Sequence, residues 1–237
     1  MAPPFLAYYA VQTSNVTLMK QVVNQCSLYR QVLQAPASSG GNGLWRHIVG
    51  PQSQTLGLWA TGNAWSALGM VRVLATMKNW PRTAAWSSYP DQLAGYIYEI
   101  FDGVLATATN QETGRVQGGA SLVRNYMLGG ANGPTPASGS QTAWFGDAAG
   151  TAGLAAAMYR MAVLQPTKAA RYLPWADAAR RSIAKAVNPS NGIVAPVVNP
   201  YDWFDSNPYN QGSPEGQAFA AMLGAAYIDC KNAKVCA

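Results

Sequence analysis

The densest concentration of residues able to hold a ligand runs from Leu44 to Trp65, through Leu44-Trp45-Arg46-His47 and Leu58-Trp59-Ala60-Thr61-Gly62-Asn63-Ala64-Trp65. It contains three tryptophans, an arginine, an asparagine and the only histidine of the chain. Flat indole rings stack on the apolar faces of sugar rings, and neighbouring polar groups bind hydroxyls, so this composition suits a carbohydrate site. Trp45, Arg46, His47, Trp59, Thr61, Asn63 and Trp65 are the substrate-binding candidates. On composition alone, the tryptophans can equally be core spacers and His47 a hydrogen-bonded loop residue.

Glycoside hydrolysis needs two positioned carboxylates, one to donate a proton and one to act as base or nucleophile. Acidic residues are few. Asp147 and Glu215 stand at the starts of two helical patterns and so face one end of the molecule, where capping is their first expected role. Asp91, Asp102, Asp177 and Asp229 read as solvated helix charges. Asp202 and Asp205 flank Trp203-Phe204 in a late loop, where sugar contact is an unspecific option. No catalytic residue is assigned.

Other chemistries lack support. One histidine and three cysteines without a Cys-x-x-Cys pair give no zinc pattern, and no metal or organic cofactor is expected. There is no Gly-x-Ser-x-Gly elbow. Ser39-Gly-Gly-Asn-Gly and Gly129-Gly-Ala-Asn-Gly lack the following lysine of a phosphate loop and read as plain loops. With 16 Lys plus Arg against 10 Asp plus Glu, the net charge of +6 is mild and scattered, which speaks against nucleic acid as a partner. No apolar run reaches the length of a membrane span. Cys230 and Cys236 are close enough to bridge if the tail turns back, whereas Cys26 reads as a packed free thiol. Asn15-Val-Thr is a glycosylation sequon, and Asn15 is also placed to cap the helix that follows. The first ten residues read as the start of a helix, not as a secretory leader.

The elements that must carry these groups are helices of two kinds. Apolar residues recur at three and four from Leu18 through Val22, Cys26, Tyr29 and Val32 to Leu33, from Leu93 to Leu105, and at Ala176, Ala179, Ile183 and Val187, the stripes of amphipathic outer helices. Between them lie segments rich in alanine and glycine on nearly all sides, Ala64 to Met77, Ala148 to Leu164 and Gln217 to Ile228, with Pro3 to Val11 as a first member. Small residues all round suit inner helices enclosed by neighbours. Three of these open alike, at Thr61-Gly-Asn, Phe145-Gly-Asp and Ser213-Pro-Glu, an internal repeat too irregular for a short-period solenoid. Long loops at Pro36–Leu58, Asn110–Thr142 and Asn188–Gly212 separate the hairpins, and such loops are usually functional or disordered. Strand patterns are nearly absent, with one short candidate at Ile193–Val198.

Pro3-Pro-Phe-Leu-Ala-Tyr-Tyr, Leu44-Trp-Arg-His, Leu58-Trp-Ala-Thr-Gly-Asn-Ala-Trp with Gly69-Met-Val-Arg-Val-Leu-Ala, and Ser213-Pro-Glu-Gly-Gln-Ala-Phe occur in an order that resembles the six-hairpin glycosidases of families 88 and 105, the unsaturated rhamnogalacturonyl hydrolases above all. The resemblance implies an all-α fold, an incomplete (α/α)6 barrel with about seven of its twelve helices, forming a single partial domain over residues 1–237. It implies hydrolysis of unsaturated uronyl ends of pectin-derived oligosaccharides: an aspartate protonates the sugar's double bond, water adds, and the hemiketal opens. It puts His47, Trp59, Thr61, Asn63 and Trp65 in the site. Relatives carry arginine where Thr61 stands, a guanidinium that suits a carboxylate, and Arg46 is the nearby substitute. The proton-donating aspartate of the family lies just before the Pro-Pro-Phe-Leu helix, upstream of Met1, so the expectation is a chain inactive as written. Secretion and self-association through an open barrel edge complete these expectations. A noncatalytic carbohydrate-binding or interaction protein that keeps the aromatic loop is the alternative.

Overall fold

The computed structural model describes residues 2–109, 113–115, 121–128 and 144–236. The Gly129–Gly133 piece and most of the Asn110–Thr142 loop lie outside the described residues. The architecture is all-α. Helices α1 (Ala2–Gln12), α2 (Val16–Leu33), α3 (Ala60–Asn79), α4 (Ser88–Thr109), α5 (Ala148–Leu164), the single turn α6 (Pro166–Ala169), α7 (Leu173–Ala186) and α8 (Pro214–Asn232) follow in order. Apart from α6, these are the seven helices expected.

Four inner helices form an arc in the order α1, α3, α5, α8, while α2 packs behind α1 and α3, α4 behind α3, and α7 behind α5. Close approach of α3 and α5 depends on glycine. A Cβ at Gly150 would stand 2.7 Å from the Ala60 Cβ and 2.9 Å from α3 backbone atoms, and one at Gly153 would stand 2.7 Å from the Ala64 Cβ. Such separations admit no side chain, so the two backbones meet where only hydrogen fits.

Enclosure differs among the inner helices. Every residue of α5 from Ala148 to Tyr159 is buried, as its all-round small composition predicts. Helix α8 departs from that expectation: it buries one stripe, Gly216, Phe219, Leu223, Ala226 and Cys230, and leaves Ile228 58% exposed. The reason is topological, since α8 has its main partner in α5 alone. At the opposite end of the arc, α1 leaves Phe5 66% and Tyr8 50% exposed. A groove of about 480 Å³ runs along the concave side, with Tyr8, Leu68, Arg72, Ala156 and Met222 among its walls.

The outer stripes are mostly as read. Leu93, Ile97, Ile100, Phe101 and Val104 of α4 are buried, as are Ala176, Ala179 and Ile183 of α7. In α2 the buried stripe is Met19, Val22, Val23 and Cys26, while Tyr29 and Val32, expected inward, are exposed because α1 covers only the first half of the helix. Three carboxylates expected in solvent have partners instead. Asp102 accepts from Arg171 and Tyr172, Asp229 from Arg160, and Asp177 from Tyr159. Asn15 caps α2, its Oδ1 accepting from Leu18 N at 2.9 Å. Cys230 and Cys236 are bridged, closing the end of α8, and Cys26 is a buried free thiol whose pKa burial pushes up to about 12.

Two small sheets join the loops, against the expectation of almost no strand. β1 (Leu58–Trp59) pairs antiparallel with β4 (Tyr126–Met127), and β2 (Thr113–Arg115) with β3 (Ser121–Val123). Ile193–Val198 forms no strand; Val194 and Val197 make isolated bridges to Val187 and Tyr209.

Candidate functional site

The starts of the inner helices share one end of the arc, and the long loops are laid across that end by backbone pairing. After α2 the chain doubles back so that Ala35 N donates to Leu44 O (2.9 Å) and Arg46 N to Leu33 O (2.7 Å). His47 N then donates to Gly57 O (2.9 Å), and Ile48 and Thr55 exchange bonds of 2.9 and 3.0 Å. Trp59 lies opposite Tyr126, Ala60 N donates to Asn125 O (2.8 Å), and Asn125 N to Phe145 O (2.9 Å). Buried backbone groups seek partners, and here their pairing brings residues 47, 59 and 126 together from distant parts of the sequence.

Asn63 fixes the first of these loops. It was read as a cap, but it sits inside the first turn of α3, 1% exposed. Its Oδ1 accepts from Trp45 N at 2.8 Å, and its Nδ2 donates to Trp45 O and Trp59 O, each at 2.9 Å. One buried amide therefore uses its donor and acceptor sides to hold the peptide at residue 45 against the entry to α3.

The side chains so assembled form an aromatic cluster around His47. The imidazole lies 4.4 Å from the Trp59 ring, centroid to centroid, and meets Trp203 nearly edge-on at 5.0 Å. Its Nδ1 shares a 2.8 Å hydrogen bond with the Tyr126 hydroxyl. Tyr126 packs on Trp144, and Trp203 on Phe204. The Trp59 Nε1–H donates to Asn125 Oδ1 at 2.8 Å, which fixes the indole plane. Burial lowers the His47 pKa to about 4, so the ring is uncharged at neutral pH, and burial raises that of Tyr126. The cluster thus offers flat uncharged surfaces with a few polar edges, and Trp59 and Trp203 are partly open to solvent.

Deeper at the same end, Asp147 caps α5. It is fully buried, accepting from Ala149 N (3.0 Å), Gly150 N (2.9 Å) and the Thr61 hydroxyl (2.6 Å). Burial pushes its pKa up against those three hydrogen bonds, which pull it down. Ser213 caps α8 through Gly216 N at 3.0 Å. Glu215, in the first turn of α8, accepts from the Trp65 indole N–H, and Trp65 packs on Phe219 at 4.7 Å. The Glu215 pKa is raised, chiefly by burial and further by the charge of Asp147, while the Trp65 N–H lowers it. The carboxylates at both helix starts are occupied structurally. Among the described residues no group of His, Cys, Asp and Glu could hold a metal ion.

The sequence candidates therefore separate. His47 and Trp59 come together in the cluster, with Trp45 and Asn63 as its support: Trp45 is 5% exposed and packed in the core. Trp65 stands apart, bound to Glu215. Thr61 is 1% exposed with its hydroxyl on Asp147, so the structure does not place it where a ligand would meet it. Arg46 is partly buried, and its guanidinium has no partner among the described residues. Tyr126, Asn125 and Trp144 were not singled out from sequence. Their only advance signal was the aromatic content of an unusually long loop. Trp203 was noted there without a role.

The geometry has counterparts in solved structures. A possible member of the GH105 family from Salmonella enterica subsp. enterica serovar Paratyphi A str. ATCC 9150 superimposes with a TM-score of 0.69 at 18% identity, over 96% of this chain and 53% of its own. A glycosyl hydrolase family 88 protein from Bacteroides vulgatus gives 0.67 at 15%, over 98% and 60%. A polysaccharide lyase gives 0.67 at 16%, over 98% and 59%. The chain has the fold of these six-hairpin proteins and spans little more than half of their length. The sequence matches no protein-family model and no curated protein.

Proposed function

We propose that this chain is a glycoside hydrolase relative whose aromatic cluster binds pectin-derived oligosaccharides ending in an unsaturated uronyl ring. The observation that carries the reading is the uncharged wall of His47, Trp59 and Trp203, tethered by Tyr126 and Asn125 at the inner-helix end of a glycosidase-type fold. Aromatic faces bind the C–H faces of a sugar, and the polar edges orient its hydroxyls.

Turnover needs a free acid and base beside the bound sugar. Among the described carboxylates, Asp147 is buried in a cap and Glu215 is tied to Trp65. Asp202 and Asp205 close backbone turns at Phe204 N and Asn207 N. These residues favour binding over hydrolysis by this chain, the second reading kept from the sequence. A secreted location goes with both readings, supported by the Cys230–Cys236 bridge, since such bridges persist in oxidising compartments.

The test is titration of the chain with unsaturated rhamnogalacturonan disaccharide, following tryptophan fluorescence and the ultraviolet absorbance of the sugar's double bond. We expect saturable binding without loss of absorbance, and at least about tenfold weaker binding by Trp59→Ala, which removes a stacking face. Full binding by that variant would remove the cluster as the site, and loss of the double bond would overturn the noncatalytic reading.

A further inference from the structure

The geometry points to Arg46 as the residue that sets the charge preference of this site, pairing with the carboxylate of the sugar ring that stacks on Trp59. The inference rests on the carbohydrate reading above.

Arginines that are partly buried in this structure are otherwise engaged. Arg30 forms a two-pronged bond to Glu99 (2.6 and 2.8 Å), and Arg160 pairs with Asp229. The Arg124 Nη1 donates to Trp144 O at 2.9 Å, and Arg180 lies 4.0 Å over the Tyr227 ring. Arg46 alone among the described, partly buried arginines has neither carboxylate, carbonyl nor ring. A guanidinium withdrawn from water without a counter-charge is held at a cost, and its planar fork matches a carboxylate two bonds at a time.

Its position is fixed by its own backbone. Arg46 N is bonded to Leu33 O and His47 N to Gly57 O, so the Cα that carries the guanidinium stem sits one peptide, about 3.8 Å, from that of the central imidazole. Other sources of positive charge at the cluster are absent or occupied: His47 is uncharged at neutral pH, and Arg124 is engaged with Trp144. Thr61 is sealed against Asp147 and offers neither charge nor free hydroxyl. On the other side, the loop that brings Trp203 to His47 carries Asp202 and Asp205, and a bound carboxylate would be repelled from that loop. The charge distribution therefore orients an acidic ring with its carboxylate toward Arg46, and the cluster becomes selective for uronyl over neutral sugars.

Calorimetric titration of unsaturated rhamnogalacturonan disaccharide and of its carboxyl-reduced, neutral counterpart tests this with the whole chain. Arg46→Met should weaken the acidic sugar by about 20-fold, the loss of a charge-assisted pair, and leave the neutral one within about twofold. Arg46→Lys should recover part of that loss, and wild-type affinity for the acidic sugar should fall with added salt. Equal losses on both sugars, or none on the acidic one, would overturn the role of Arg46 and leave the cluster as a sugar site. Wild-type protein that binds neither sugar would instead remove the carbohydrate reading, and this inference with it.

Discussion

Helices α5 and α8 are close in length and alike in their alanine and glycine, yet α5 is sealed on every side and α8 on one. The difference lies in their neighbours. α5 is covered by α3, α7 and α8, whereas α8 leans chiefly on α5. Small residues permit close approach without requiring it, so composition says that a helix can be enclosed, and only topology says whether it is.

Their glycines offer the sharpest way to break this comparison. Gly150→Val should destabilise the fold by about 3 kcal/mol, because its new atoms meet the backbone at Ala60 and Thr61, which cannot retreat. Next in size is Asp147→Ala, expected to lose about 2 kcal/mol through two uncapped N–H groups and an orphaned Thr61 hydroxyl. Ser213→Ala, the matching cap on α8, should lose about 1 kcal/mol. Gly224→Ala should go the other way and stabilise by about 0.8 kcal/mol, since nothing lies within 4 Å of its added Cβ. Urea unfolding of the four variants gives all the values. A Gly224→Ala variant as damaging as Gly150→Val would mean that the open side of α8 is covered in solution.

A gentler effect separates the aromatic cluster from both helices. The folded pKa of His47, about 4, lies below the ordinary value of 6.5. On acidification the unfolded chain takes up this proton first, so stability is intact above pH 6.5, declines between 6.5 and 4, and has no further slope from this group below 4. Urea midpoints across that range should show the decline in the wild type and a shallower one in His47→Gln.

Much of the helical frame was legible because its signals are local. Spacing at three and four marked α4 and α7, and polar residues beside glycine or proline marked the caps at Asp147 and Ser213. The same local rule misread Asn63, which looks like a cap in sequence and is an internal tie in space. Half of α2's stripe was misplaced because the extent of α1's cover cannot be read from α2. In the candidate site, His47 and Trp59 were legible as a cluster of chemistry within one short stretch. Tyr126 and Asn125 were not, since they reach Trp59 and His47 only through the β1–β4 pairing, across 79 and 66 residues of sequence. Short two-residue strands carry almost no pattern of their own.

The Asn63 amide has a consequence for how such a site can change over generations. All three of its bonds end on main-chain atoms of residues 45 and 59, which every amino acid possesses. Side chains at 46, 47 and 59 can therefore be exchanged without unmooring the segment that presents them. A lineage carrying this tie can trade one sugar preference for another by drift in a few exposed positions, while α3 below keeps its sequence.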